Sequence, residues 1–150
     1  MQASELETYL HKNIPLSRAM EVAVVGVSQE SVVLGAPLAP NVNVHGTVFG
    51  GSASAVALLA AWSLLHLRMA DAGVNGHLVI QRNSVNFELP ISGRFSAHAS
   101  FSHPEAWEPF IHMLTHKGMA RIAIGALLVY SGQTAGRFEG EFVALRQAVV

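Results

Sequence analysis

Residues Asn41 to Ala70 read NVNVHGTVFGGSASAVALLAAWSLLHLRMA, a polar, glycine-bearing loop that runs directly into an apolar segment. Between Ala53 and Leu65 only Ser54 and Ser63 are polar, so the helix predicted here has no amphipathic stripe and must be enclosed on all sides. Thr47 is its predicted N-cap. Gly50 and Gly51 allow a backbone or a ligand to approach the first turn closely, where free N–H groups and the positive end of the helix dipole attract partial negative charge. The alternative reading of these glycines is tight packing against a sheet. Asn41, Asn43, His45 and Thr47 alternate with small or apolar residues just ahead of them, which is more hydrogen-bonding capacity than a turn requires. A polar pocket beside a dry helix accounts for both features.

A chain of 150 residues with 51% hydrophobic content is the size of one domain, 1–150, and can bury a substantial core. With 13% charged residues and a mean hydropathy of +0.37, part of its surface is expected to be covered in an oligomer. The net charge of −1 comes with no cluster of Lys or Arg, so no nucleic-acid partner is expected. The longest apolar run, about thirteen residues, is short of the roughly 18–20 needed to cross a bilayer. The N-terminus, MQASELETYLHK, is acidic and helical in type rather than a basic region followed by an apolar one; no secretory signal is visible, and a cytoplasmic location is expected. The absence of cysteine excludes disulfides, thiolate metal sites and a cysteine nucleophile.

Around the central segment, Ser4 to Lys12 follows helical spacing with Ser4 as cap, and Pro15 is expected to end that helix. Met20 to Val27 and Val32 to Leu38 read as a hairpin about Ser28–Ser31. His77 to Leu89 reads as a long strand, with Val79, Gln81, Asn83, Val85 and Phe87 on one face and Leu78, Ile80, Arg82, Ser84, Asn86 and Glu88 on the other. Arg94 to Phe101 alternates well as a further strand. A helix is predicted from Glu108 or Pro109 to Lys117, closed by Gly118. Met119 to Tyr130 and Arg137 to Arg146 complete about six strands, joined by a turn over Ser131–Gly136.

The run Asn43-Val44-His45-Gly46-Thr47-Val48-Phe49-Gly50-Gly51 resembles the loop-to-helix signature of the hotdog-fold acyl-CoA thioesterases. Ile14–Met20, Ala36–Asn41 and the strand Val79–Pro90 extend the resemblance to the thioesterase domain found alone or fused to an N-acetyltransferase, over roughly Ile14 to Ser92. It implies an α+β fold in which a curved antiparallel sheet wraps a long central helix. It also implies a backbone N–H of Gly51 or Gly50 as oxyanion hole, with Asn43 and His45 orienting the thioester or the water. For His45 the alternative is an imidazole that ties the loop to a backbone carbonyl.

Many relatives carry an Asp or Glu on the helix one to two turns past the glycines; here no acid precedes Asp71. Candidate substitutes are Ser52, Ser54, His45 itself, or Gln81, Ser84, Asn86 and Glu88 brought from a second subunit through the strand after the helix. The expected site is therefore Asn43, His45, Gly51 and Ser84 for catalysis, with Asn41, Thr47, Phe49, Gly50, Ser52, Gln81, Arg82 and Asn86 binding substrate. Arg82, Lys117 and Arg121 are candidates for the phosphates of CoA. His112 and His116 stand one helical turn apart, and His98 or His103 would be needed as a third ligand; no metal or cofactor is expected beyond a CoA thioester as substrate. The expected activity is hydrolysis of an acyl thioester, acyl-CoA or acyl carrier, by a homodimer or dimer of dimers (a homotetramer). The rivals are a binding or regulatory module without turnover and an acyl-carrier dehydratase.

Overall fold

A computed structural model describes residues 1–147. The chain runs α1 (Ala3–Asn13), α2 (Pro15–Ala19), β1 (Ala23–Val27), β2 (Ser31–Ala36), α3 (Gly50–Asp71), β3 (Gly76–Phe87), β4 (Phe95–Phe101), α4 (Trp107–Lys117), β5 (Met119–Tyr130) and β6 (Gln133–Arg146), with 3-10 turns at Ala39–Asn41 and Pro104–Ala106. The strands form one antiparallel six-stranded sheet in the order β1-β2-β4-β5-β6-β3, so β1 and β3 are its edges. The α+β architecture expected from the sequence is present: the sheet curls around α3.

Period-two alternation supplies the wrapping surface. Val32 and Leu34 of β2, Phe95, Ala97 and Ala99 of β4, Ile122, Ile124 and Leu128 of β5, and Phe138 and Phe142 of β6 are all buried. Opposite them α3 contributes Val56, Ala57, Ala60, Ala61, Leu64 and Leu65, each fully buried. Small residues at 57, 60 and 61 let the sheet approach the helix axis, and close packing at that density is what fixes the geometry of its first turn. At 22 residues α3 is long and apolar enough to span a bilayer by length and composition, more than the run of thirteen suggested, but it is mostly buried by its own sheet.

Local structure departs from the sequence reading at several places. α1 starts one residue early, where the Gln2 N–H donates to Glu5 Oε2 at 2.8 Å. Pro15 does more than end α1: it opens α2 at a first-turn position, where its missing N–H costs nothing. Thr47 does not cap α3. Its chain is still extended, with Asn43 N–H donating to Thr47 O at 2.7 Å and a Val42–Val48 bridge beyond, so the helix starts at Gly50 with Phe49 as N-cap and no side-chain cap. The β5–β6 connection is only Ser131-Gly132, at φ 51° and 75°, a two-residue hairpin turn of the kind that matches strand twist. The extra residue of the expected loop is absorbed at Ala135, where the register slips from Leu128↔Gly136 to Val129↔Thr134.

The strict alternation expected for β3 also fails. Its register against β6 runs Ile80↔Phe142 and then Arg82↔Glu141, leaving Gln81 as a bulge that flips the phase of everything after it. Leu78 and Ile80 before the bulge, and Asn83, Val85 and Phe87 after it, align with the inward residues of β6 (Ala144, Phe142, Gly140, Phe138) and Gly136. Arg82, Ser84 and Asn86 point to the outer face. Because β3 is an edge and α3 packs chiefly on β2, β4 and β5, Leu78, Ile80 and Val85 are only half-buried, and the seam between α3 and β3 opens into a cavity toward each end of the helix.

Candidate active site

The loop ahead of α3 is held together by one side chain. Asn43 Oδ1 accepts from the N–H groups of His45 (2.8 Å) and Thr47 (3.2 Å), while its Nδ2 donates to Thr47 Oγ1 at 2.8 Å. Gly46, at φ 81°, completes the reversal, and Val44 at the tip is 94% exposed. Asn41 is 2% exposed and donates through Nδ2 to Met20 O and Pro37 O at 2.9 and 2.8 Å, while its Oδ1 has no partner among the described residues. Its carbonyl accepts from Phe49 N–H at 2.7 Å, and Val48 N–H donates to Ile91 O at 2.8 Å. These bonds deliver the chain to Gly50 at a fixed angle. The His45 imidazole is exposed and makes no hydrogen bond to a carbonyl among the described residues.

Past this point the backbone donors run out of partners. The first helical bond is Ala53 N–H to Phe49 O, 3.0 Å, and the amides of Gly50, Gly51 and Ser52 meet no acceptor among the described residues, as expected for a helix without a cap. Gly50 opens on a cavity of about 340 Å³, walled by Thr47, Val48, Ala53, Phe87 and Glu88. The ring of Phe49 folds over Gly51 so closely that a Cβ there would stand 2.3 Å from Phe49 Cε2. Three free amides, a positive dipole end and a largely apolar wall suit a polarised carbonyl oxygen.

Asn43→Ala removes the acceptor for two amides and the donor to Thr47 at once. It is expected to lower stability by about 1–2 kcal/mol, the scale of a lost polar cap, which thermal denaturation of the variant beside the wild type checks.

Of the twelve residues expected at the site, the fold gathers Asn41, Asn43, His45, Thr47, Phe49, Gly50, Gly51 and Ser52 around the helix start and leaves four elsewhere. Gln81 lies at the bulge, accepting from Arg121 Nε at 3.2 Å. Arg82 pairs with Glu141 at 3.3 Å, and it lines, with Ser84 and Arg121, a cleft of about 420 Å³ on the outer face of the sheet. Asn86 shares that face. The bulge is the physical reason: without it the strand's polar residues would alternate in a single phase. Glu88 stays near the helix start, its Oε1 held by Arg137 Nε at 2.9 Å. His112 and His116 stack at 4.1 Å, the latter donating from Nδ1 to His112 O, and no group of three metal-ligating side chains forms among the described residues.

One site feature went unread in the sequence. At the far end of the α3–β3 seam, His66 is sandwiched between Tyr9 and Trp62, with centroids 4.9 and 4.7 Å away, on a cavity of about 290 Å³ that also reaches Asn75, His77 and Leu78. Trp62 is anchored by its Nε1–H to Leu78 O at 2.9 Å. Burial holds the His66 pKa below the ordinary histidine value, because the charged form loses hydration there. The available signal was a titratable residue inside an otherwise dry helix.

The model of the family described as "Putative thioesterase (yiiD_Cterm)" matches residues 3–146. The chain belongs to this family. Solved structures share the fold of this yiiD_Cterm thioesterase-family protein. A protein of unknown function from Chlorobaculum tepidum is 23% identical over 97% of this chain and 94% of its own, with a TM-score of 0.91. The structure of a "putative thioesterase" from Shewanella oneidensis is 23% identical, covering 95% and 96% of the two chains with a TM-score of 0.84. A thioesterase from Haemophilus influenzae is 9% identical, covering 97% and 92% at 0.78. Six strands around a long helix, the hotdog arrangement, are thus common to sequences that share few residues.

Proposed function

We propose that this protein hydrolyses an acyl thioester, with acyl-CoA or an acyl carrier as substrate, at a site completed by a second copy of the chain. The observation that carries this reading is the run of unpartnered amides at Gly50, Gly51 and Ser52 at the start of a buried helix, where Gly50 lines an apolar cavity. The thioester carbonyl oxygen sits against those amides, whose fixed dipoles stabilise the oxyanion as it forms. Asn43 sets the angle of the loop, and His45 at its tip faces the incoming substrate or water. The acyl chain lies along the seam between α3 and β3, against the half-buried Val85 and Ile80. No metal or cofactor takes part.

A purified sample incubated with acyl-CoAs of graded chain length, with release of free thiol followed over time, tests the reading. Turnover of at least one chain-length class is expected, reduced in His45→Ala with the fold intact. Saturable binding of every acyl-CoA without thiol release would favour the rival, a binding module, which the lack of an acid on α3 before Asp71 motivates.

A further inference from the structure

The α3–β3 seam holds a donor set beside one cavity and an imidazole beside another. At about 1.5 Å of rise per residue, Gly50 and His66 lie roughly 24 Å apart along α3, too far to act on the same carbonyl. The edge strand removes that distance. β3 has 12 residues and one unpaired side, a template for another strand. Two copies meeting antiparallel about a two-fold axis near its middle set Gly76–Ile80 of one against Asn83–Phe87 of the other.

In such a pair, opposed residues point to the same face. A regular strand in this register would set inward residues against outward ones. The bulge at Gln81 corrects the phase, so that Leu78 opposes Val85 and Ile80 opposes Asn83, all facing α3. In that register Gly76, on the wall of one copy's His66 cavity, opposes Phe87, on the wall of the other's Gly50 cavity, where Phe49 and Phe87 stand 57% and 56% exposed.

We infer that His66 of one copy is the general base for the thioester held at the helix start of the other, in place of the acid that α3 lacks. This rests on the hydrolase reading above. An unprotonated ring nitrogen takes a proton from water as the water oxygen bonds to the carbonyl carbon. The C=O π pair moves to the oxygen against the amides. On collapse the C–S bond breaks, and the thiolate leaves with the proton returned from the imidazolium. The Tyr9 and Trp62 rings fix the imidazole plane, and because Trp62 bonds to Leu78 of β3, the base is registered to the strand that docks the second copy. Tyr9 of α1 and His77 of β3 are the other titratable groups on the walls of this cavity.

The test uses the full chain, an acyl-CoA that the wild type turns over, and thiol release across pH. The wild type is expected to lose kcat on the acid side with an apparent pKa below about 6.5, the ordinary histidine value, since protonation removes the base. His66→Gln is expected to lower kcat by about 10²–10⁴-fold and abolish that limb, while His77→Gln keeps it. His66→Phe retains the three-ring stack and gives the same loss should Gln loosen the fold. Co-expressing His66→Gln with Gly51→Ala chains, each inactive alone, restores about a quarter of wild-type turnover if assembly is random, because half the dimers then hold one intact shared site. A His66→Gln enzyme as fast as the wild type overturns the inference while hydrolysis stands, and failure of the mixed dimers to recover overturns action across the two copies. A wild type inert on every acyl-CoA overturns both this inference and the function beneath it.

Discussion

Gly51→Ala is expected to melt at or slightly above the wild-type temperature while losing about 10²–10³-fold in turnover, the scale of a missing oxyanion-hole donor. The two effects separate because the new Cβ meets only Phe49, whose Cε2 and Cζ would lie 2.3 and 2.9 Å away. That ring is 57% exposed and can swing out with little loss of buried contact. Alanine also favours helix over glycine by up to about 1 kcal/mol, worth roughly 2–4 °C at this size. The methyl group and the displaced ring then occupy the space in front of the amides, where the carbonyl oxygen must sit. Gly50→Ala places its Cβ 3.4 Å from Phe87 Cζ at the cavity wall, so it too should lose turnover, but without displacing the Phe49 ring. Melting curves and kcat/KM for the two variants decide the matter, and wild-type turnover in Gly51→Ala would remove the carbonyl from this end of the helix.

What the sequence disclosed depended on whether a residue's role was settled by its neighbours in the chain. The dryness of α3 is a local property, since thirteen consecutive positions with only Ser54 and Ser63 polar admit no exposed face, and the glycines at its start follow from spacing alone. β4 and β5 alternate without interruption and were legible almost to the residue. The bulge at Gln81 was not, because a bulge exists only relative to a partner strand; β6 determines that Ile80 and Arg82 oppose neighbouring residues. For that reason Arg82, Ser84 and Asn86 read as sharing a face with Leu78 and Ile80, from which the bulge separates them. Thr47 looked like a cap because the sequence does not show that its carbonyl and hydroxyl are taken by Asn43. His66 was passed over because only the arrival of α1 and β3 beside it makes a cavity there.

The largest effect on stability is expected from Phe142→Ala, about 3–5 kcal/mol as for other fully buried aromatics, or a melting temperature lower by roughly 6–20 °C for a chain of this size. Phe142 is the largest side chain fully enclosed among the described residues. It lies opposite Ile80 on β3 and Ile122 on β5, so its loss leaves a void where three strands meet the helix, and rigid neighbours fill such a void only in part. Ile80 is also the last inward residue before the bulge, so the slackness is transmitted to the edge on which a second copy would align. Phe87→Ala removes a ring of the same size from the wall of the Gly50 cavity, where it is 56% exposed; its melting temperature should move by no more than about 2–4 °C, with KM rather than stability responding. Denaturant titration of the pair measures the contrast, and equal stabilities for the two variants would mean that the inner face of β6 does not carry the packing assigned to it.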